Sequence, residues 1–436
     1  MIRVLDLREV AITPDTAAHF VPRLPVDDVD ATGAIAELVE SVRLNGASAL
    51  AEQAVAFDGV ESVQNPVERG WLKSCAKDLD PAVRAALDES IRRVRVASEA
   101  VVPHPVTTTY HQGGSVTTRY IPVERAGVYV PGGKAVYPSS VVMNVVAAQA
   151  AGVREIALVS PPQRDHSGRI HPSIAAAAHL LGVDEVYAVG GAGAIAALAY
   201  GVPEWGLRPV QVITGPGNRY VATAKTLVRG VVGIDSEAGP TEIGIIADDG
   251  ANPEFIAADL ISQAEHDERA QAVLLTNSME LATRVARAIE AALPQTRHTE
   301  RVAQALGGEQ SALIVLDTLD QAVLLANALA PEHLEILVDD PRAVLDEITH
   351  AGAVFVGDYT PVSAGDYLAG SNHVLPTGGA ARHSSGLSPW TFLRSQQVVE
   401  YDKDALAHIA EHVVTLANAE DLPAHGQAVS QRFVDD

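Results

Sequence analysis

The chain contains a single cysteine, Cys75, in 436 residues. No intrachain disulfide can form and no cysteine-rich metal site can be built, so a bound metal would have to rely on nitrogen and oxygen donors. Basic residues are also scarce, 31 Lys and Arg against 55 Asp and Glu, for a formal net charge of −24. That balance excludes the usual nucleic-acid surface, which concentrates Lys and Arg to displace counterions from phosphates, and it disfavours an anionic membrane. It says little about the substrate, because net charge acts on solubility and encounter. Long apolar runs are missing as well. One long uncharged stretch, 186–203, is dominated by Gly and Ala and broken by a Gly-Gly pair, which makes a poor membrane span. The opening Met1-Ile2-Arg3-Val4-Leu5-Asp6 mixes charges early and lacks a basic segment followed by an apolar one. No secretory signal is read there, and a cytoplasmic address is expected.

What is present is the composition of a folded protein, 47% hydrophobic and 20% charged. The length implies at least two domains. The first 125 residues read as mainly helical, with Asp80-Pro81 as cap and first-turn proline of an amphipathic run to about Glu99. From Gly127 onward, short β-branched runs at 128–130, 155–159, 185–189 and 210–214 alternate with Ala-rich helical stretches. A second series has strands near 243–246, 272–275, 312–316, 335–338 and 353–356. Such alternation marks parallel βαβ units. The predicted fold is therefore α/β: two Rossmann-like parallel-sheet modules with a helical N-terminal region and a C-terminal tail. The expected division is an N-terminal segment at 1–30, a first module from 31–126 and 238–376, a second, nucleotide-binding module at 127–237, and a helical tail at 377–436. The tail, with a helix at 404–417, has too little apolar surface to stand alone and should pack on something.

Three segments carry chemistry. In Asp259-Leu260-Ile261-Ser262-Gln263-Ala264-Glu265-His266-Asp267, a helical pattern puts Gln263 and His266 on one face. A carboxamide oxygen and an imidazole nitrogen together suit Zn²⁺ or another first-row ion, although a solvated acidic face gives the same letters. Gly191-Ala192-Gly193-Ala194-Ile195-Ala196 follows a strand and opens a helix, as a dinucleotide fingerprint does. Close packing of an Ala-rich helix explains the same glycines, and no Asp or Glu ends the next strand near Thr214 to take a ribose hydroxyl. In Pro331-Glu332-His333 the proline reads as a helix start, where Glu332 would complement the dipole. That leaves His333 without a task, and an imidazole titrating near neutrality suits proton transfer.

Other segments join these in order: Ala330-Pro331-Glu332-His333-Leu334-Glu335-Ile336, the stretch 363–379 with Asp366 and His373, Glu420-Asp421-Leu422-Pro423-Ala424-His425-Gly426, Tyr129-Val130-Pro131-Gly132-Gly133, Gly215-Pro216-Gly217-Asn218 and Ala238-Gly239-Pro240-Thr241-Glu242. Together, from about Arg125 to His425, they resemble the histidinol dehydrogenase family. The resemblance implies one Zn²⁺ per subunit, held by Gln263, His266, Asp366 and His425, with NAD⁺ against Tyr129, Gly193 and Asn218. Substrate would meet Thr241, His333, His373 and Glu420 as well as the four metal ligands. Two positions depart from the family pattern, since many relatives have Gln at Gly193 and Ser at Thr241. The resemblance further implies a homodimer whose composite active site takes His425 from the neighbouring subunit. The implied reaction is oxidation of L-histidinol to L-histidine through L-histidinal with two NAD⁺, with His333 as general base and Glu332 activating water. Two other chemistries fit parts of the pattern. Some relatives oxidise sulfonated diols, and a zinc hydrolase could use the same ligands with Glu332 as base, but it would turn over without NAD⁺ and leave Tyr129 and Asn218 unexplained. A silent binding protein would have no use for the full set.

Overall fold

The computed structural model describes residues 2–23, 30–132, 136–236 and 239–434. Met1, Gly133 and Ala238 of the segments quoted above lie outside the described residues. Two parallel sheets organise the chain. The first orders its strands Glu185–Ala188, Glu155–Ser160, Arg125–Tyr129, Val212–Thr214 and Gly233–Ile234. Numbered along the chain, that is the doubly wound order 3-2-1-4-5, which reverses between Arg125–Tyr129 and Val212–Thr214 and opens a crevice there. The second sheet repeats the scheme with Ala312–Val315, Gln271–Thr276, Glu242–Ala247, His333–Leu337 and Ala353–Val356, and adds Arg3–Asp6 beside Ala312–Val315. The expected α/β class with two Rossmann-like sheets is what the chain forms.

The strands are parallel because helices cover both faces, and that is why they are apolar throughout instead of alternating. Every residue of Glu242–Ala247 and Gln271–Thr276 is buried. Glu242 and Gln271 stand at the strand starts, where a cleft opens.

The structure departs from the sequence expectation in four places. The N-terminal region is not only helical: Ser115–Pro122 pairs antiparallel with Val106–Thr109 on one side and with Leu393–Glu400 on the other. Their Thr- and Val-rich composition favours strands, and the partner comes from the tail, which was read as helices and loops. The N-terminal segment supplies the edge strand Arg3–Asp6. Residues 31–126, expected to join the module at 238–376, pack on the other one. Helix Asp30–Gln53 lies on Gly191–Tyr200, Arg69–Lys77 on Pro172–Leu180, and Pro81–Ala100 on Pro138–Ala151. The reason is complementary apolar surface, with Ile35, Val39 and Leu50 closing over the Ala-rich helix at 191–200. Finally, Glu332-His333 does not start a helix. Leu319–Leu329 ends at Ala330 in the left-handed conformation (φ 49°), and His333 opens a strand paired with Ile243 and Ala353.

Asp80 caps Pro81–Ala100 as read, its carboxylate accepting the N–H groups of Ala82 and Val83. The tail helices Lys403–Ala419 and Pro423–Ser430 pack on each other and leave Leu416 and Leu422 exposed. Among the described residues, no helix is long and apolar enough to cross a membrane.

Candidate active site

A cleft of about 1680 Å³ runs between the carboxyl ends of the five-stranded sheet and the amino ends of strands Glu242–Ala247, Gln271–Thr276 and His333–Leu337 of the six-stranded one. Tyr129 and Gly215 enter it from the first side, and Thr241, Glu242, Glu332 and His333 from the second. Placing both Glu332 and His333 at a strand start brings a carboxylate and an imidazole to one edge of the cleft.

His333 is 4% exposed. Its Nδ1 lies 3.0 Å from the carbonyl oxygen of Glu242. A carbonyl only accepts, so Nδ1 carries the proton and Nε2 holds the lone pair. Nε2 is buried without a hydrogen-bond partner among the described residues, and its nearest carboxylate oxygen, Asp366 Oδ1, is 3.9 Å away. Burial lowers the pKa of the ring, against the opposing pull of Asp366, so the neutral, proton-accepting form prevails near pH 7. Glu332 is also buried, and burial pushes its carboxyl up to about 8. Its Oε2 accepts the Thr241 hydroxyl and the N–H of Glu242 (3.1 Å). Gln263 Nε2 in turn donates to Thr241 Oγ1, so a short relay joins Gln263 to Glu332.

Gln263 sits in the last turn of helix Pro253–Ala264, begun by Asn252, whose side chain accepts the Glu254 N–H, and Pro253. His266 lies just beyond the helix, its N–H donating to the Gln263 carbonyl at 3.2 Å, so the one-face geometry read from the sequence is replaced by a turn. Its ring opens onto the cleft but is enclosed enough that desolvation lowers its pKa, with Asp366 pulling the other way. Asp366 ends a short helix, Val362–Tyr367, and lines the same cleft. His373 holds that carboxylate's backbone in place: Nδ1 donates to the Asp366 carbonyl (2.9 Å), and Nε2 meets Ser140 Oγ at 3.1 Å. The structure thus gathers His266, Asp366, His373, Thr241 and the Glu332-His333 pair around one cleft, with Gln263 joined to it through Thr241. It does not bring Glu420 or His425 there. Both are exposed on the tail. Among the described residues no cluster of three or more His, Cys, Asp or Glu forms a metal-sized group.

On the nucleotide side, Tyr129 and Asn218 line the cleft. The Tyr129 hydroxyl takes the Gly191 N–H. Asn218 caps helix Arg219–Val228, accepting from Tyr220 and Val221. Gly193 faces elsewhere. A Cβ there would meet Gln53 Oε1 at 2.4 Å and Leu50 Cδ2 at 2.9 Å, so its small size serves the packing of helix Asp30–Gln53, the second of the two readings. The turn at Gly215 is more constrained: φ is 119°, and a Cβ would lie 1.9 Å from the Tyr129 carbonyl oxygen, so only glycine fits. A buried Lys225–Asp235 ion pair clamps it, with Lys225 Nζ donating to the Gly215 carbonyl (2.9 Å) and Asp235 Oδ2 accepting the Gly215 N–H (2.7 Å). Lys225→Met strands Asp235 in a dry site, and a loss of about 3–5 kcal/mol is expected in denaturant unfolding. The sequence reading missed this pair because Asp235 follows a two-residue strand, Gly233–Ile234, too short to leave a pattern. It also gave no role to Glu242, whose carboxyl, pushed up to about 7 by burial, accepts the Gly378 N–H and leaves Oε2 unpartnered.

Cys75 stands apart on helix Arg69–Lys77, its thiol pushed up to about 11 by burial. It is not among the groups lining the cleft.

Comparison with known proteins identifies the family. Residues 22–433 match the family model described as histidinol dehydrogenase. The chain is 57% identical over 435 residues to the histidinol dehydrogenase of Leifsonia xyli subsp. xyli, covering 99% of each chain. It is 53% identical to that of Thermobifida fusca over 433 residues, covering 99% of this chain and 98% of the relative. The crystal structure of histidinol dehydrogenase from Elizabethkingia anophelis superposes with a TM-score of 0.93 at 32% identity, covering 99% of this chain and 98% of that one. With its full length matched in sequence and in fold, the chain belongs to the histidinol dehydrogenase family of oxidoreductases.

Proposed function

We propose that this chain oxidises L-histidinol to L-histidine through L-histidinal, using two NAD⁺, as an enzyme of histidine biosynthesis in the cytoplasm. The observation that carries the reading is His333: a neutral imidazole, its tautomer fixed by the Glu242 carbonyl, with a partner-free Nε2 beside the buried Glu332. In the first oxidation Nε2 takes the hydroxyl proton as hydride leaves the carbinol carbon, giving aldehyde, NADH and one proton. In the second, Glu332 draws a proton from water as it adds to the aldehyde, and His333 assists as the second hydride departs, giving carboxylate, NADH and two protons. The high pKa of the Cys75 thiol and its absence from the cleft favour water over a thiohemiacetal.

The donor set fits a zinc ion. Gln263, His266 and Asp366 give one oxygen, one nitrogen and one oxygen, all donors that zinc accepts, with a fourth protein donor and the substrate nitrogens left to complete its coordination. The fourth is assigned to His425 of a second copy, because His425 is exposed on a tail whose apolar Leu416 and Leu422 have no cover in one chain. Bound there, zinc would anchor the amine and imidazole nitrogens of the substrate and so fix the carbinol carbon. Glu420, three residues before the tail's last helix, would reach the substrate from the same partner. Thr241 and His373 both spend their polar atoms on protein neighbours, so we assign them to holding Glu332 and Asp366, with substrate contact secondary. NAD⁺, the hydride acceptor, is assigned to the five-stranded side, next to Tyr129 and Asn218. Helix starts at Pro138, Gly191 and Arg219 open on the cleft there, and their N–H groups suit a pyrophosphate. The carboxyl ends of the other sheet are closed to phosphate by Asp248, Asp249 and Asp339.

The test is metal analysis paired with NADH yield. Two NADH per histidinol, with stoichiometric zinc and no turnover of a sulfonated diol, is the expected result. One NADH would make the enzyme a simple alcohol dehydrogenase, and turnover without NAD⁺ would overturn the reading altogether.

A further inference from the structure

Three elements carry His333, Gln263 and Asp366, and one buried carboxyl reaches all three elements. Glu335 is two residues along the strand from His333, hence on the same face, and is 1% exposed. Its Oε1 accepts the N–H of Val362 (3.0 Å), the first residue of the helix that carries Asp366. That amide is one of the unsatisfied donors of a helix start. Its Oε2 is buried and receives no N–H or hydroxyl among the described residues. The group that meets Glu335 is another carboxyl, Asp259, within hydrogen-bonding reach of it and lying one turn before Gln263 on helix Pro253–Ala264. Two carboxyls bond only if they share a proton.

No cation relieves the pair. The strand neighbours in register with Glu335 are Phe355 and Ile245. Helix Pro253–Ala264 presents Asp259, helix Val362–Tyr367 presents its backbone amide, and no other charged group acts on either carboxyl among the described residues.

We infer that Asp259 and Glu335 form a proton-sharing latch, a positioning pair that fixes the helices of Gln263 and Asp366 against the strand of His333 and thereby sets metal affinity. The inference rests on the zinc reading above. Neither residue touches substrate. Burial pushes the Glu335 carboxyl up to about 9 and the Asp259 carboxyl up to about 6. Both folded values lie above the unfolded ones, so the contribution is complete in acid and falls away as pH rises through the folded values. With one proton between them the latch is closed; once rising pH removes that proton, two facing carboxylates repel.

The test titrates Zn²⁺ against a chromophoric chelator, with thermal unfolding measured alongside, from pH 7 to 10. Glu335→Gln keeps both contacts, its amide donating to Asp259 and its carbonyl accepting from Val362. It should retain affinity within about threefold and lose the alkaline fall seen in the wild type, as supporting partners tune a site by about 10- to 100-fold. Glu335→Leu should weaken Zn²⁺ binding by about 10- to 100-fold. If that variant does not fold, Asp259→Asn decides, since its amide donates to an ionised Glu335 and should likewise flatten the alkaline fall. Wild-type-like Zn²⁺ affinity in Glu335→Leu, or an unchanged alkaline fall in Glu335→Gln and Asp259→Asn, overturns the latch. Should the wild type bind no Zn²⁺ at all, the metal reading fails, and the pH dependence of thermal unfolding in the same variants still judges the pair.

Discussion

Glu332→Gln should stop the reaction halfway, at one NADH per histidinol, with free aldehyde accumulating. The glutamine oxygen can still accept the Thr241 hydroxyl and the Glu242 N–H that Glu332 Oε2 accepts, so the local fold is kept. What disappears is the carboxylate that takes a proton from water. Losing a general base costs about 10²- to 10⁴-fold, and this loss should fall on aldehyde oxidation. Alcohol oxidation should stay within about tenfold, because Nε2 of His333 depends on the Glu242 carbonyl and not on Glu332. The pH profile adds a second signature. With its carboxyl pushed up to about 8, Glu332 becomes a base as pH rises through that value. The second oxidation should climb over that interval in the wild type and lose the limb in the variant. Stopped-flow NADH traces with histidinol and with histidinal separate the steps. An equal loss in both would sink the division of labour between Glu332 and His333.

Mixing two inactive variants should restore activity. Asp366→Asn removes a donor contributed by the chain that forms the cleft, and His425→Ala removes the exposed tail imidazole. If the tail of one subunit completes the site of the other, a mixed dimer carries one site with both defects and one with neither. Random exchange makes half the dimers mixed, so about a quarter of wild-type activity should return from two near-zero parents. No recovery after verified subunit exchange would show that each chain completes its own site. The expectation follows from the geometry: helices Lys403–Ala419 and Pro423–Ser430 bury little beyond each other, and Leu416 is 63% exposed. Apolar surface of that kind on a folded tail calls for a neighbour.

Much of the architecture was legible because period is a local property. Runs such as Ala272-Val273-Leu274-Leu275 are apolar on both faces and announce a buried parallel strand without reference to any partner. The Asp80-Pro81 cap was equally local. What escaped depended on distant pairing. Strand Ser115–Pro122 is held by Leu393–Glu400, with Arg119 bonded to Gln396 across 277 residues. Pro331 gave a correct sign of a boundary and the wrong element, because the pairing of His333 with Ile243 and Ala353 outweighs the local preference of a Pro-Glu pair. Gly193 had two readings with identical letters, and only the arrival of Gln53 and Leu50 chose packing.

The sequence by itself determined the α/β class, the twofold series of βα units, the nitrogen-and-oxygen character of any metal site and the family, since each follows from residue type and short-range order. Only the tertiary structure decided which module the N-terminal helices cover, that Glu332 and His333 meet the cleft from a strand start, and that Asp259 faces Glu335. Those outcomes arise from surfaces and hydrogen-bonding groups meeting after the chain has closed long loops, and nothing in a residue's immediate neighbours encodes which distant partner it will find.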